Sequence, residues 1–282
     1  MSLTHRLKGD HALSQMLSGL VLETRAINAD ILAPPLSTNY ALVGTAFDYL
    51  MRMELSRRVK NAHATKWVAE MALDIIAVDP DVLSHPMYDT IVHGFADAIR
   101  VAKTRLSDYI AEPSLEKLMD LAMSALTLAK MDSYYRSGIV DRTLFTHEKK
   151  DAEDLMHLFE IVPWDQFMKS PLFLNPDFGR FSQMMNGADA DIIAGDTLFD
   201  IKTTKHTEMR PHLAQLMGYV ILSESYRKER PERPRISKIG IYFSRHGHIE
   251  TIDISDVIGS LPYEEAKTKL LGGTTIPNAM FA

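Results

Sequence analysis

The segment from 187 to 205, GADADIIAGDTLFDIKTTK, contains acids and a lysine whose spacing suits metal chemistry. Gly195-Asp196 predicts a two-residue turn, since glycine in the first central position suits a type II′ hairpin. Pairing outward from this turn places Asp191 directly opposite Asp200. Two facing carboxylates repel each other, and a hard divalent cation would compensate for that repulsion. The hairpin therefore predicts a site for Mg²⁺ or Mn²⁺.

Side-chain alternation along the hairpin separates a polar face from an apolar one. The polar face carries Asp189, Asp191, Asp200 and Lys202. The apolar face, which suits a core, carries Ala190, Ile192, Phe199 and Ile201. Two acids, a lysine and a metal form the apparatus for hydrolysing a phosphodiester, because the metal activates a water and neutralises charge on phosphorus.

The hairpin also resembles a known family of nucleases. Asp191, followed by Asp200-Ile201-Lys202, resembles the PD-(D/E)xK signature, which has a first acid on one strand and acid-x-lysine on the next. Acid-x-lysine alone is weak, since residues 148–150 and 265–267 repeat it in polar, helical surroundings. The hairpin differs because its acid-x-lysine lies in a strand and follows a partner acid in register.

Two further motifs assign the resemblance to the RecB-like branch of this family. Gln215 and Tyr219 match its Gln-x-x-x-Tyr motif, and their spacing places them on one helix face. Residues 44–48, GTAFD, resemble its first-helix motif, in which a histidine often takes the position of Asp48. The resemblance covers residues 44–54 and about 187–250, and it leaves the helices between them as an insertion.

The resemblance implies a restriction-endonuclease-like α/β fold: a mixed β-sheet core flanked by helices, with a large helical N-terminal or inserted region. It implies a metal-dependent nuclease that hydrolyses DNA, with exonuclease action expected and a 5′-phosphate left by cleavage. Asp191 and Asp200 would bind Mg²⁺ or Mn²⁺. The Ile201 carbonyl and Asp48 would complete the ligand set.

Lys202 would orient or activate the attacking water, or stabilise the charged phosphorus. Gln215 and Tyr219 would position Lys202 or contact the DNA strand. Simpler interpretations exist for each of these residues. Lys202 and Asp200 suit an exposed edge strand, Tyr219 suits a buried tyrosine with a bonded hydroxyl, and Gln215 suits a solvated helix face.

Two more aspartates compete for roles in the site. Asp189 faces Lys202 in the predicted register, which favours a salt bridge or a supporting role over metal binding. Asp177 follows Pro176 and so matches the letters of the signature, but Pro-Asp-x-Gly is also ordinary turn chemistry. We prefer Asp191 as the first acid because its position opposite Asp200 is a geometric argument.

Composition narrows the function classes. The chain has 282 residues, no cysteine and a net charge of −6. The lack of cysteine excludes thiolate zinc sites, cysteine nucleophiles and the iron–sulfur cluster of some RecB-like nucleases. Acids are concentrated in residues 151–200 and bases in residues 201–245, which suits a cation site beside a phosphate-binding strip. The basic run 227–238 is alternatively a solvated loop.

Periodicity and punctuation predict the elements that position these residues. Helices are predicted over residues 1–33 (one or two), from about 37 to 59, 60–78, 87–110, 112–137, 149–159 and 211–226. Strands are predicted over 172–174, 190–193, 197–204, 236–245 and 248–254. The resulting divisions are N-terminal helices including the first core helix (1–59), a helical insertion (60–160), the nuclease core (161–260) and a C-terminal tail (261–282).

The sequence leaves other functions open. The chain lacks a run of about 20 apolar residues, so we expect a cytoplasmic protein without membrane contact. One alternative is a catalytically inactive nuclease fold that works as a DNA-binding or assembly module. Another is a restriction-like endonuclease of a mobile element or defence system. The helices of 60–160 could also bind a protein partner or form an oligomer.

Overall fold

The computed structural model describes residues 3–22, 27–141, 143–185 and 187–272. These residues form a mixed α/β fold in which helices flank one six-stranded sheet. The strands are β1 (His63–Ala64), β2 (Leu172–Leu174), β3 (Ile192–Ala194), β4 (Thr197–Lys202), β5 (Lys238–Phe243) and β6 (His248–Asp253). The helices are α1 (Leu3–Gly9), α2 (His11–Gly19), α3 (Tyr40–Arg58), α4 (Val68–Ile76), α5 (Pro80–Leu83), α6 (Tyr88–Ala111), α7 (Leu115–Ser137), α8 (Lys149–Glu160), α9 (Arg180–Met184), α10 (Leu213–Arg227) and α11 (Leu261–Gly272).

The strands lie in the sheet in the same order as in the sequence, from β1 to β6. β1 pairs in parallel with β2 and β4 pairs in parallel with β5, whereas the other neighbours are antiparallel. A parallel pair needs a long connection, and α10 with its flanking loops supplies one between β4 and β5. The prediction of a mixed sheet flanked by helices is therefore confirmed.

Apolar clusters cover both faces of the sheet. Phe199 packs in a first cluster with residues of α3, α6 and α7, whereas Leu198 packs in a second cluster with residues of α1, α2 and α10. Ile192 belongs to the first cluster, but Ala190 belongs to the second. The prediction that Ala190 shares the face of Ile192 is therefore wrong, because the regular strand begins only at Ile192.

Most predicted helices and strands are confirmed within a few residues, but the predicted helix over 60–78 is confirmed only over Val68–Ile76 and is wrong before it. His63 and Ala64 instead form β1, which pairs with residues of β2. The His63 ring stacks on Phe173 at a centroid distance of 4.6 Å. The helix α4 starts only at Val68, where the Glu70 carboxylate accepts the N–H of Trp67 at 2.9 Å. Contacts with a distant strand thus override the local helical pattern.

The predicted C-terminal tail contains a packed helix, α11. Tyr263, Ala266 and Leu270 of this helix are buried in the second cluster. Residues 273–282 of the same predicted tail lie outside the described residues. Within the described part of the chain, every helix is too short or too polar to cross a lipid bilayer.

A buried ion pair joins the turn after β5 to α8. Arg245 is 1% exposed and Asp154 is fully buried, and the Arg245 guanidinium donates from both terminal nitrogens to the Asp154 carboxylate. Arg245 Nη1 also donates to the Ala33 carbonyl at 3.3 Å, which ties down the chain before α3. Arg245 therefore cannot belong to the predicted basic strip, because its side chain is buried and its charge is paired with Asp154.

We expect Arg245→Met to lower the free energy of unfolding by about 3–5 kcal/mol, because it leaves Asp154 buried without a cation to balance its charge. Urea unfolding followed by circular dichroism measures this loss. The double variant Arg245→Met/Asp154→Leu should regain most of it. Arg100→Gln, which removes an exposed pair with Asp97, should cost less than about 1 kcal/mol. An equally small loss for Arg245→Met would contradict the structural role of the pair.

Candidate functional site

The hairpin of β3 and β4 has the predicted register. Ile192 pairs with Phe199 and Ala194 pairs with Thr197 across the turn. Gly195 has a φ of +63°, as the first position of the predicted turn requires. Asp191 immediately precedes the paired residues of β3, and it lines the same cavity as Asp200.

One open cavity of about 820 Å³ brings the predicted residues together at the C-terminal end of β4. It is lined by every candidate site residue, namely Asp48, Asp191, Asp200, Ile201, Lys202, Gln215 and Tyr219. These residues come from α3, from the hairpin and from α10. Motifs that are separated by more than a hundred residues in the sequence therefore share one site.

The central acids are held by short local interactions. The Asp200 Oδ2 atom lies 2.6 Å from Lys202 Nζ. The Asp191 Oδ2 atom accepts the backbone N–H of Ile201 at 2.6 Å. β4 lies between β3 and β5, so the interpretation of Asp200 and Lys202 as charges on an exposed edge strand is wrong.

Burial and mutual repulsion change the ionisation of this group. Burial raises the pKa of Asp191 to about 6, and the charge of Asp200 adds to the rise. Burial also raises the pKa of Asp200 against the attraction of Lys202. Desolvation lowers the pKa of Lys202, but Asp200 and Asp191 outweigh it, so the pKa of Lys202 lies above its ordinary value. The acids would gain from a further positive charge.

Asp48 contributes a carboxylate from α3, and one of its oxygens has a partner. Asp48 Oδ2 is paired with Arg52, one helical turn further on. Asp48 Oδ1 is buried and accepts no hydrogen bond from the described residues. Burial raises the pKa of Asp48 to about 7, with the charge of Asp191 adding to the rise against the attraction of Arg52.

The donor set fits a hard divalent cation. Among the described residues, no group of three or more histidine, aspartate or glutamate side chains is arranged to hold a metal ion. Mg²⁺, however, is commonly bound by one or two carboxylates and several waters. Asp191, Asp200, the free Oδ1 of Asp48 and the Ile201 carbonyl offer only oxygen donors. This chemistry suits Mg²⁺ or Mn²⁺.

The Gln-x-x-x-Tyr pair forms a hydrogen-bonded unit on α10. Gln215 Nε2 donates to Tyr219 Oη at 2.9 Å and to Thr4 Oγ1 at 3.2 Å. Tyr219 is 7% exposed, and burial raises its pKa well above the ordinary value, with Asp200 and Asp191 adding to the rise. The interpretation of Gln215 as a simply solvated residue is therefore wrong, because it bridges α10 and α1.

Several cavity residues were not predicted from the sequence. Arg52 could have been recognised, because it lies four residues after Asp48 on the same helix face. Asp132 and Arg136 of α7 carry no motif, and only the packing of α7 against α3 brings them to the cavity. α1 adds Lys8, which likewise has no sequence signal.

The competing aspartates have different surroundings. Asp177 accepts the Gly179 N–H at 2.8 Å, as turn chemistry predicts, and it does not line the cavity. Asp189 does line the cavity, but the register does not pair it with Lys202, whose ion-pair partner is Asp200. Burial raises the pKa of Asp189 to about 6, and the charge of Asp177 adds to this.

Residues 228–238 of the predicted basic strip do not lie beside the acids. Because β5 runs parallel to β4, Lys238 lies opposite Thr197, at the turn end of the hairpin. The Ser237 N–H donates to the Asp196 carbonyl at 2.9 Å, which fixes the preceding loop at that end. Lys202 is five residues further along β4, roughly 16 Å away at the usual rise of a strand. Besides Lys202, the lysine and arginine side chains that line the cavity come from α1, α3 and α7.

Comparisons with protein-family models, with curated proteins and with solved structures found no match for this chain. The interpretation of the cavity therefore depends on its own chemistry. That chemistry is a set of buried and half-buried acids at the end of a central strand, with a charged lysine among them and room for a ligand above them.

We expect Asp191→Asn to stabilise the metal-free protein at pH 8 by about 1–2 kcal/mol. The folded-state pKa of Asp191 is raised from 3.8 to about 6, so its contribution to stability is present below pH 4 and is lost as the pH rises through 6. The gain from Asn should therefore shrink toward pH 4. Thermal unfolding in EDTA across this range measures the difference.

Asp253→Asn provides the control of opposite sign. A hydrogen bond from the Ser255 N–H holds the pKa of exposed Asp253 below its ordinary value, so removing that charge should bring no gain at pH 8. Equal behaviour of Asp191→Asn and Asp253→Asn would show that Asp191 is not under electrostatic strain.

Proposed function

We propose that this protein is a metal-dependent nuclease that hydrolyses DNA phosphodiester bonds, with a restriction-endonuclease-like core of the RecB-like branch. The observation that carries the proposal is the convergence of three separate motifs on one cavity. Asp48, the hairpin acids with Lys202, and the Gln215–Tyr219 pair all line it. The chance acid-x-lysine match at residues 265–267 has no second motif beside it. Its Lys267 lies on α11, pairs with the neighbouring Glu264 and does not line the cavity.

The acids provide the metal ligands in this proposal. Asp191, Asp200, Asp48 Oδ1 and the Ile201 carbonyl would hold Mg²⁺ or Mn²⁺. The metal, when bound, lowers the pKa of a water and neutralises charge that develops on phosphorus. The Ile201 N–H bond to Asp191 Oδ2 orients that carboxylate and leaves its other oxygen for the metal.

Lys202 acts as a fixed cation. Its pKa is raised by Asp200 and Asp191 against the opposing effect of burial, so its amine stays charged at neutral pH. A charged amine cannot take a proton from water. Of the roles that the resemblance implies, orienting the water and stabilising the charged phosphorus are therefore favoured.

The α10 pair acts as a neutral hydrogen-bond donor. Burial keeps Tyr219 protonated, and its oxygen already accepts from Gln215 at 2.9 Å. Its own O–H therefore remains available for a phosphate oxygen or for a site carboxylate. This supports a positioning role for Gln215 and Tyr219.

DNA as partner, exonuclease action and a cytoplasmic location belong to the same proposal. The inactive DNA-binding or assembly module is the second candidate function, and the restriction-like endonuclease of a mobile element or defence system is a variant of the first. Retention of mutually repelling acids argues against an inactive module. Such acids reduce stability at neutral pH and have no structural benefit in the absence of a cation.

We expect the wild-type protein to cleave DNA in Mg²⁺ or Mn²⁺ and to be inactive in EDTA. Asp200→Asn and Lys202→Ala should each lower the cleavage rate at least about 100-fold, because each removes charge stabilisation at the reacting phosphate. Gel assays with linear, circular and single-stranded DNA measure the rate and separate exonuclease from endonuclease action.

Lys267→Ala is the matched control. Lys267 is as buried as Lys202 and is also paired with an acid, but it lies on α11 and does not line the cavity. Its activity should equal that of the wild type. Cleavage that survives both site substitutions would overturn the site assignment. DNA binding without any metal-dependent cleavage would favour the inactive module.

A further inference from the structure

α7 brings an arginine to the cavity from a region without any nuclease motif. Arg136 and Asp132 lie one turn apart near the C-terminal end of this helix. Both residues line the cavity of about 820 Å³ together with Asp191, Asp200 and Lys202. The helices predicted as an insertion therefore form one wall of the candidate active site.

A buried acid holds the Arg136 guanidinium in place. Asp132 Oδ2 accepts from Arg136 Nε at 3.2 Å and from Nη2 at 3.1 Å. Asp132 is 2% exposed, and its other oxygen accepts the Tyr49 hydroxyl at 3.3 Å. Arg136 Nη1 has no hydrogen-bond acceptor among the described residues. One edge of the guanidinium is thus fixed and the other is free.

Arg136 differs in this respect from Arg52 in the same cavity and from two arginines elsewhere, Arg245 and Arg100. Arg52 and Arg245 are held by acids but are themselves buried, so their charge is used inside the protein. Arg100 is exposed, but its partner Asp97 is exposed as well and fixes no geometry. Arg136 combines a side chain that is 67% exposed with a partner that is 3% exposed.

We propose that Arg136 binds a phosphate of the DNA strand other than the one that is attacked. This inference rests on the proposed function. A planar guanidinium with one fixed edge presents its free N–H groups in the geometry that phosphate oxygens accept. Apart from Arg136, the cavity lining has five aspartates but only three lysine or arginine side chains, so the charge of Arg136 lessens the repulsion of a polyanion. Arg136 supplies positive charge at the rim, where the backbone of the strand must pass.

A second cavity of about 960 Å³ shares Arg136 and Asp132 with the first. Its wall also carries the acids Asp141, Glu148 and Asp151. The same lining contains Lys130, but that side chain is 8% exposed and donates to the Thr143 and Thr146 carbonyls, so Arg136 is the exposed cation of the two.

The test measures DNA binding separately from cleavage. Fluorescence anisotropy with a short labelled single strand gives the Kd over a salt series, in Ca²⁺ and in EDTA. Arg136→Gln should weaken binding about 5- to 10-fold and reduce the slope of log K against log salt by about 0.7, the value for one phosphate contact on a single strand. Arg136→Lys should keep the slope, because the positive charge remains. It should regain only part of the affinity, because lysine lacks the paired N–H groups of the guanidinium.

Arg100→Gln is the matched control, with equal exposure on a helix outside both cavities. Its Kd and salt slope should equal those of the wild type. The double variant Asp132→Asn/Arg136→Gln removes the cation without leaving a buried acid unpaired, and it should reproduce the loss seen with Arg136→Gln. In cleavage assays, KM should rise by more than kcat falls.

The outcomes separate this inference from the proposed function. If the wild type cleaves DNA but Arg136→Gln binds DNA as tightly as Arg100→Gln does, the phosphate site is overturned and the nuclease proposal stands. A reduced affinity and salt slope in a protein without metal-dependent cleavage would support the phosphate site and overturn the nuclease. An unchanged Kd in both the single and the double variant would overturn the inference regardless of cleavage.

Discussion

The carboxylates of buried Asp200 and half-buried Asp48 and Asp191 repel one another, and the surrounding structure is organised to hold them together. Burial contributes most to their raised pKa values, and neighbouring acids add to the effect. The two fixed cations come from the same elements as the acids that they balance. Lys202 follows Asp200 by two residues on β4, and Arg52 follows Asp48 by one turn of α3. These local ion pairs partly balance the negative charge of the acids, while Oδ1 of Asp48 stays available for a ligand.

The hairpin was predictable because its determinants are local. Gly195 fixes the turn, alternation fixes the faces, and a slip of one residue would bury Asp200 in the wrong cluster. β1 was not predictable in this way, since two residues without any period pair with a strand more than a hundred residues later. α11 was also missed as a packed element. Its Tyr263 is buried only because the second cluster, formed by distant parts of the chain, packs against it.

The residues of the candidate site likewise fall into those that local sequence predicts and those that depend on distant packing. Its acids, its lysine and the α10 pair follow from motif spacing, whereas Asp132 and Arg136 depend on the packing of α7 against α3. The basic strip was misassigned because sequence proximity to Lys202 was taken for spatial proximity. The parallel course of β5 carries residues 228–237 to the opposite end of the sheet, and only the strand polarity reveals this.

Tyr49 shows why the helical region and the site cannot be treated separately. Its hydroxyl donates to Asp132 on α7 and accepts the Ala69 N–H of α4, so one α3 residue links three helices. The same α3 carries Asp48 on the cavity side and Leu50 in the first cluster. Because apolar packing of α3, α4 and α7 sets the distance between Asp48 and Arg136, loss of α4 and α7 would expose the core and let more water reach the acids. Water would in turn weaken every electrostatic interaction in the cavity. The region without motifs thus maintains the low-dielectric surroundings in which the motif residues have unusual ionisation.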